Sequence, residues 1–577
     1  MANAAPLSAP HMGSELPQAD LVLTNGRIYT VNEAQPWAQA VAIANGRFLV
    51  VGDDTDVAAT IGPHTRVVDL KGRFAMPGLY DMHTHPDLAL APDYAGYLDV
   101  GIEDPTPAQV RQAILDYAEQ TPEGWIYGAY FVRYTFKQAG LTADRHWLDS
   151  VIADRPVAIL DRSWGCMLAN SKALELAGIT ADTSDPRHGY IERDSISGEP
   201  TGILVDGAYA MIHAAMPPTP AQALYRAYRD GVHFQSSRGV VGTKYVHVCE
   251  HRLDALKRLD QEGRLTARVE AAISWQDDIF PVKRRWELLA GERHFYRSAR
   301  LNANAVKFHF DGTHESRSSY LSSPWPGEKD WQGHLNLTPE HVCDMIADMD
   351  RRGIRVIAHC TGDGASDIFL NAIAEAKRRN GGLRMRHQCA HSTTLLDANL
   401  PRFAELDAIA EFSPVGWFPS SFAYARAVFG EQRMQRAYNF AGVLQAGGVA
   451  VMGTDWPVSN PDPWIGLEAM VTRANPWSQD DETFHGTPIS LEQAIRVATL
   501  NGAYAMGMEH QAGSIEVGKS ADLIVLDRNL FEVPARGGIH ATQVEWTLLE
   551  SRPTWDAAGD FQQSELEAVW TQAPPAF

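Results

Sequence analysis

The chain has 577 residues, more than the roughly 100–200 residues of a single ordinary domain. Its net charge of −21 argues against nucleic acid or an anionic membrane as a partner, because both require basic surfaces. No apolar run approaches the roughly 20 residues that span a bilayer, so a small-molecule substrate is the partner we expect.

The N-terminal segment and the cysteines bear on location. Residues 1–18 have neither a basic segment nor an apolar one, so we expect a disordered or vector-derived tail and no secretory signal. The five cysteines are widely spaced and form no C-x-x-C pair, which favours a reducing compartment over a disulfide framework. We therefore expect a cytoplasmic protein.

Residues 19–75 contain short apolar runs that are typical of β-strands. Asn25-Gly26 and Asn45-Gly46 separate such runs, and Asn-Gly in this position indicates a hairpin. This region cannot bury both faces of a sheet by itself. Strand-like runs at 513–519 and 521–527 offer a partner, so we expect residues 19–75 and 501–577 to form one composite β-sandwich.

The middle of the chain alternates strand-like and helical runs. The strand-like runs after residue 231 are 240–248, 267–274, 305–310, 356–358, 385–390, 409–412 and 449–453. Helical patterns such as residues 339–352 separate them. This alternation predicts a parallel sheet, and eight such units close an α/β (β/α)8 TIM barrel in about 250 residues. We expect its first strand in 76–100, the remainder in 231–500, and an inserted α/β subdomain in 101–230.

Six residues with metal-binding side chains lie within or just after these strand-like runs. They are His83, His85, Lys307, His359, His391 and Asp455. The ends of all strands in a parallel barrel meet at one face, so ligands far apart in sequence converge there. Residues i and i+2 of a strand share a face, so the first two histidines point to one spot. The pattern predicts a metal site.

Several motifs resemble one known family. Residues 74–85, Phe-Ala-Met-Pro-Gly-Leu-Tyr-Asp-Met-His-Thr-His, resemble the first-strand signature of the amidohydrolase superfamily. Segments similar to strands 4, 5, 6 and 8 of its YtcJ-like branch, amidohydrolase family 3, follow in the required order at 306–312, 359–365, 386–391 and 453–458. Residues 513–523 are similar to a common ending of the superfamily. The resemblance covers residues from about 20 to 530.

The resemblance implies two divalent metal ions. His83, His85 and Asp455 would hold one ion, and His359 and His391 would hold the second. Zinc is the ion we expect from histidine and carboxylate ligands, with manganese or iron as alternatives. A water-derived hydroxide would lie between the ions.

Two of these residues have particular roles under the resemblance. Lys307, carboxylated on its amine, would bridge the ions; the alternative is a free ammonium paired with Asp311. A metal lowers the pKa of bound water to about 7. Asp455 would then transfer a proton from water to the leaving amine; the alternative is a helix cap.

Six further residues are candidates for orienting ligands or contacting substrate: Asp363, His309, His387, Arg317, Trp164 and Trp456. Each also has an ordinary structural explanation, such as helix capping, ion pairing or covering the core. Gly165 stands where members of the family with the insert usually carry a histidine, which indicates a retuned pocket.

We expect a metal-dependent amidohydrolase that cleaves the C–N bond of an amide, N-formyl, carbamate or cyclic amide group in a small aromatic or apolar substrate. An ester hydrolase and an aryl-acid decarboxylase are alternatives on the same scaffold, since fold alone does not select the reaction. A non-catalytic metal-binding protein is the alternative from another class. Assembly into a homo-oligomer stays open.

Overall fold

The structure is a computed structural model. It describes residues 17–95, 97–100, 104–161, 165–186, 189–275, 282–314, 316–417, 430–477 and 486–561, together with residue 566. Most of the expected N-terminal tail, at 1–16, lies outside the described residues, as does Trp164.

Eight parallel strands form the central barrel. In chain order they are β1 (Leu79–Thr84), β2 (Val240–Val248), β3 (Arg268–Ser274), β4 (Leu301–His309), β5 (Arg355–Cys360), β6 (Gln388–His391), β7 (Ile409–Phe412) and β8 (Val449–Met452). Each strand pairs in parallel with the next one along the chain. The predicted (β/α)8 architecture is confirmed.

The segments at the ends of the first and last barrel strands meet through side-chain and backbone hydrogen bonds. Asp81 accepts hydrogen bonds from the backbone N–H (2.9 Å) and the hydroxyl (2.7 Å) of Thr454. The N–H of Asp455 donates to the carbonyl of His83 at 2.7 Å. Gly453 allows this approach, because a Cβ there would lie 2.5 Å from the Cβ of His83. The seam therefore places Asp455 beside the first ligand histidines.

Helices of the barrel layer lie between and after the strands. They include Pro86–Ala95, Ala221–Ser237, Glu250–Gln261, Arg285–Ala290, Pro339–Arg351, Asp363–Asn380, Leu400–Glu405, Phe440–Gln445, Pro463–Thr472, Leu491–Ala498 and Leu500–Ala505. The helix predicted at 339–352 is confirmed as Pro339–Arg351, and the Thr338 hydroxyl caps its first turn. Among the described helices, none is long and apolar enough to cross a membrane.

Two sheets built from both chain ends form the β-sandwich. One has the order Arg47–Gly52, Ala40–Ala44, Leu21–Thr24, Arg66–Asp69. The other has the order Arg552–Asp556, Val544–Leu549, Leu523–Leu526, Phe74–Pro77, Arg27–Tyr29, Trp37–Ala38. Their shared core includes Leu23, Val41, Phe48, Leu523 and Trp546. The predicted composite sandwich is confirmed.

Two local predictions in the sandwich differ from the structure. Asn45-Gly46 does join an antiparallel hairpin, but Asn25-Gly26 connects strands of different sheets. A two-residue type I′ hairpin needs positive φ at both turn residues, and only Asn25 has it in this pair. Residues 513–519 form turns instead of a strand.

The inserted subdomain is built on a third sheet. Its strand order is Gly189–Arg193, Pro200–Asp206, Cys166–Ala169, Val157–Asp161, Ile126–Phe131, Leu98–Asp99. Its helices include Pro107–Gln120, Arg133–Gln138, Arg145–Asp149, Ser171–Leu176 and Ala210–Ala215. We expected this unit at 101–230; its sheet begins at Leu98, and helix Ala221–Ser237, which packs on Pro86–Ala95, crosses residue 230.

Candidate metal centre

All six predicted ligands line one pocket at the carboxyl ends of the barrel strands. They are His83, His85, Lys307, His359, His391 and Asp455. Strands β1, β4, β5 and β6 and the turn after β8 supply them. The parallel barrel thus brings together residues nearly 400 positions apart.

His83 and His85 present their Nε2 atoms to Asp455. The Nδ1–H of His83 donates to Glu411 (2.9 Å), and that of His85 donates to the Val246 carbonyl (3.2 Å). Their Nε2 atoms lie 3.7 and 3.4 Å from Asp455 Oδ1. Because each Nδ1 is occupied by an acceptor, the lone pair of each Nε2 is directed at a common point, as metal ligation requires.

His359 and His391 also line the pocket, and the ring centre of His391 lies 4.6 Å from that of His83. The Nε2–H of His359 donates to the Gly312 carbonyl at 3.1 Å, which leaves its Nδ1 as the acceptor nitrogen. His391 Nδ1 lies 3.3 Å from the Ser413 hydroxyl. The two ring centres are 4.5 Å apart. Burial lowers the pKa of both histidines, so their imidazoles are neutral at pH 7, the form that binds metals.

Lys307 is fully buried between these two pairs. Its Nζ lies 3.3 Å from His83 Nε2. The alternative partner, Asp311, instead accepts hydrogen bonds from the backbone N–H groups of Thr361, Gly362 and Tyr320. Burial lowers the pKa of the Lys307 amine. The neutral amine, which is the form that reacts with carbon dioxide, is therefore accessible.

Glu411 is a site residue that the sequence analysis missed. It is fully buried on β7 and contacts the Nδ1 of His83 (2.9 Å) and the backbone N–H of His391 (3.1 Å). One carboxylate therefore holds a residue from each predicted ligand pair. A charged residue inside the apolar run 409–412 was the available signal.

Two further histidine rings, those of His247 and His309, lie in a row between the rings of His85 and His359. His247, also missed, lies between His85 (ring centres 5.9 Å apart) and His309 (4.7 Å). His309 stacks on His359 at 4.5 Å. Both line the pocket. His309 therefore lies beside a predicted ligand.

His387 and Asp363 lie outside the pocket. His387 is at the amino end of β6, where its Nδ1 accepts the Val356 N–H and its Nε2 lies 3.4 Å from Asp350. Asp363 accepts from the Ser322 N–H and from Arg436 rather than contacting a ligand histidine.

Arg317 and Trp456 are also held by contacts with neighbouring residues. Arg317 is half-exposed, pairs with Glu328 at 3.4 Å and donates to the Pro326 carbonyl. Trp456 packs against the ring of Phe234. The residues that follow Trp456, at 457 and 458, line the pocket in its place. Trp164 lies outside the described residues.

The donor set fits a divalent metal. Nitrogen or carboxylate atoms of His83, His85 and Asp455 lie within 4.8 Å of one another, and the same holds for His83, His391 and Glu411.

His391 and Asp455 also adopt left-handed backbone conformations, with φ of 68° and 56°. Such strain costs about 1–3 kcal/mol per residue and concentrates at functional sites.

The chain is similar to known proteins over most of its length. A sequence profile of the Amidohydrolase family matches residues 66–554. The chain is 27% identical to the N-substituted formamide deformylase of Arthrobacter pascens, over 94% of this chain and 99% of that protein. It is 25% identical to the YtcJ protein of Bacillus subtilis, over 92% and 98%. The crystal structure of a metal-dependent hydrolase of Pyrococcus furiosus is 25% identical, with a TM-score of 0.66, over 88% and 99%.

Proposed function

We propose, because the chain belongs to the amidohydrolase family, that this metal-dependent hydrolase cleaves a C–N bond of a small amide, N-formyl, carbamate or cyclic amide. The family resemblance seen in the sequence is confirmed by the profile match over residues 66–554. The name of the Arthrobacter relative makes N-substituted formamides the first class to assay.

One observation carries the proposal. Four histidines, a lysine and an aspartate converge in a single pocket at the face where barrels of this kind hold their active sites. His83, His85 and Asp455 would hold one ion and His359 and His391 a second, with Lys307 as a carboxylated bridge. Divalent ions there, zinc first among them, would supply hydroxide at neutral pH and polarise the substrate carbonyl.

The chain's own residues supply the proton transfer. Asp455 Oδ1 lies 3.4 Å from His85 Nε2 and its side chain lines the pocket, so it can contact both a water molecule and a substrate nitrogen. We assign it as the base that takes a proton from water and the acid that gives it to the leaving amine. Glu411 holds His83 so that the Nε2 atom faces the pocket.

Replacing Asp455 tests this assignment. Asp455→Asn should lower kcat/KM for an N-substituted formamide by about 10²–10⁴-fold, because general acid–base transfer is lost. Asp462→Asn is the matched control: Asp462 caps helix Pro463–Thr472 a few residues further on. Metal content per chain is measured on both variants by mass spectrometry. Near-normal turnover by Asp455→Asn would remove it from the mechanism.

Hydrolysis itself is tested with labelled water. In oxygen-18 water, the formate released from an N-formyl substrate should carry one labelled oxygen. Retained metal with no turnover of anilides, formamides, carbamates or aryl esters would contradict a hydrolase at this site.

A further inference from the structure

The inserted subdomain supplies an acidic side chain to the wall of the same pocket. Asp206, at the end of strand Pro200–Asp206, and Tyr209 in the following turn both line it. Asp206 is 7% exposed and Tyr209 is 3% exposed. Neither belongs to the predicted ligand set, so they are available to the substrate.

Contacts behind the pocket wall fix the position of Asp206. Its backbone N–H donates to the Gly165 carbonyl at 2.9 Å, and its Oδ2 lies 3.3 Å from His334 Nε2. Gly312 packs against the carboxylate, where a Cβ would lie 3.0 Å from Oδ2. The residue adopts a φ of 49°, which is uncommon for a residue other than glycine. The carboxylate is therefore held against the wall.

Away from the metal centre, the charged side chain of the pocket wall favours a cation. Among the described residues that line it there is no arginine, and its only lysine is Lys307, within the metal centre. An anionic substrate group beside this wall would be repelled by Asp206. Apart from the histidines and Thr313, the other described residues of the wall are apolar or aromatic: Leu88, Tyr209, Pro457 and Val458. A carboxylate beside an aromatic ring is a suitable site for an ammonium group.

We propose that the substrate carries a protonated amine remote from the scissile bond, as in a mono-N-acylated diamine, and that Asp206 binds this amine with Tyr209 beside it. The inference rests on the proposed function and specifies its substrate class. His334 lies on the other side of the carboxylate and holds its orientation.

Three matched compounds test the inference. N-(4-aminobutyl)formamide, N-pentylformamide and N-(4-carboxybutyl)formamide differ only in a terminal ammonium, methyl or carboxylate group. Binding to zinc-loaded Asp455→Asn protein is measured by titration calorimetry. We expect the ammonium compound to bind about tenfold more tightly than the methyl compound, and the carboxylate compound to bind most weakly.

The variants separate Asp206 from general effects. Asp206→Asn should bring the ratio of ammonium to methyl binding to within about twofold of one, since the charge is lost. Glu192→Gln is the control, because Glu192 lies on the same sheet but pairs with Arg133. Equal binding of the three compounds, or an equal change for all three in Asp206→Asn, would overturn the inference.

Turnover by the wild-type protein distinguishes this inference from the proposed function. If the methyl compound is hydrolysed with the same kcat/KM as the ammonium compound, the proposed substrate class is wrong, but the proposed hydrolase activity stands. If binding shows the preference but no compound is hydrolysed, the assignment of Asp206 stands and the proposed reaction fails.

Discussion

Glu411 links the two predicted halves of the metal centre. Its carboxylate lies 2.9 Å from His83 Nδ1 and accepts the His391 N–H at 3.1 Å. Acceptors of this kind fix the tautomer and orientation of metal-binding histidines and raise their basicity. The residue is fully buried, so water cannot replace it when the carboxylate is lost.

Glu411→Gln should weaken metal binding. An amide is a poorer acceptor than a carboxylate for the His83 N–H, and partners of this type contribute about 10–100-fold to metal affinity. We expect a loss in that range, measured by competition with a chelator of known affinity, while the circular dichroism spectrum of the fold stays unchanged.

Glu468→Gln is the matched control for this experiment. Glu468 is also fully buried and also binds a histidine, at 2.9 Å from His540 Nδ1, but it lies outside the pocket. It should lower stability and leave metal affinity unchanged. An equal loss of affinity in both variants would mean that Glu411 acts only through general packing.

At this scale the sequence predicts residues with recognisable motifs and misses those without one. His83, His85 and Asp455 lie in segments that resemble the family, so all three could be placed. Asp206 could not, because it reaches the pocket from a separate sheet and nothing in its own strand indicates that approach. The left-handed backbone conformation of His391 could not be predicted from the sequence either, because it depends on how the strand ends pack.

At the scale of the secondary-structure elements, a buried carboxylate fixes the segment that leads into β6. Asp350, on helix Pro339–Arg351, accepts hydrogen bonds from the backbone N–H groups of Arg384 (2.9 Å) and Met385 (3.0 Å) and from the Asn380 side chain (2.9 Å). The side chain thereby fixes the chain just before β6, the strand that ends in a predicted ligand.

Asp350→Asn should destabilise the protein in a pH-dependent way. Burial alone would raise the pKa of Asp350, but hydrogen bonds from His387, Asn380 and the backbone lower it to about 2. A lowered pKa stabilises the fold above the unfolded value near 4 and stops doing so as pH falls towards 2. We expect a loss of about 2 kcal/mol at pH 7 that shrinks below pH 4.

Urea unfolding midpoints at pH 7, 4 and 3 measure this loss. Asp348→Asn is the control on the same helix, because Asp348 is exposed and pairs with Arg351 and Arg352 at the surface. Such pairs contribute about 0–1 kcal/mol. A difference for Asp350→Asn that stays constant with pH would show that the ionised carboxylate is not its cause.

The same contacts explain an element boundary that the sequence did not predict. The strand-like run 385–390 appears in the structure as Gln388–His391. The backbone N–H of Met385 donates to the Asp350 carboxylate, and the His387 ring accepts from the backbone N–H of Val356. These residues therefore form hydrogen bonds that involve side chains where the sequence predicted a strand. The predicted runs 240–248 and 409–412 are strands over their full predicted lengths.

Across the whole molecule, a buried ionic network joins the barrel to the β-sandwich. Arg268, at the start of β3, pairs with Asp522 (2.5 Å) and Glu550 (3.0 Å), and Arg300 reaches Glu550 at 3.1 Å. Arg268 and Asp522 are almost fully buried. The network lies at the amino ends of the strands, at the opposite end of the barrel from the pocket.

The domain plan could be predicted from patterns, and the docking of the insert could not. Residues 19–75 cannot bury both faces of a sheet by themselves, which pointed to a partner at the other chain end. The insert interrupts the β/α alternation, which reveals its presence. Its orientation depends on side-chain contacts such as that of the Tyr130 hydroxyl with the Pro457 carbonyl, which no periodicity encodes.

Asp522→Asn should lower stability without changing the metal centre. The substitution removes one of the two carboxylates that pair with Arg268; leaving a buried charge with no partner at all costs about 3–5 kcal/mol, so with Glu550 still in place we expect a smaller loss. We expect a lower thermal midpoint, with metal content per chain and kcat of the folded protein unchanged. Differential scanning calorimetry, metal analysis and a formamide assay on one preparation measure all three.

Glu532→Gln is the control for this loss of charge. Glu532 pairs with Arg27 at 2.7 Å, but both side chains are more than half exposed, so the change should be within about 1 kcal/mol. Because β3 carries none of the predicted ligands, we expect strain at its amino end to leave the metal content unchanged. If Asp522→Asn loses metal or kcat along with stability, the sandwich also holds the metal centre in shape, and the two parts are not energetically separate.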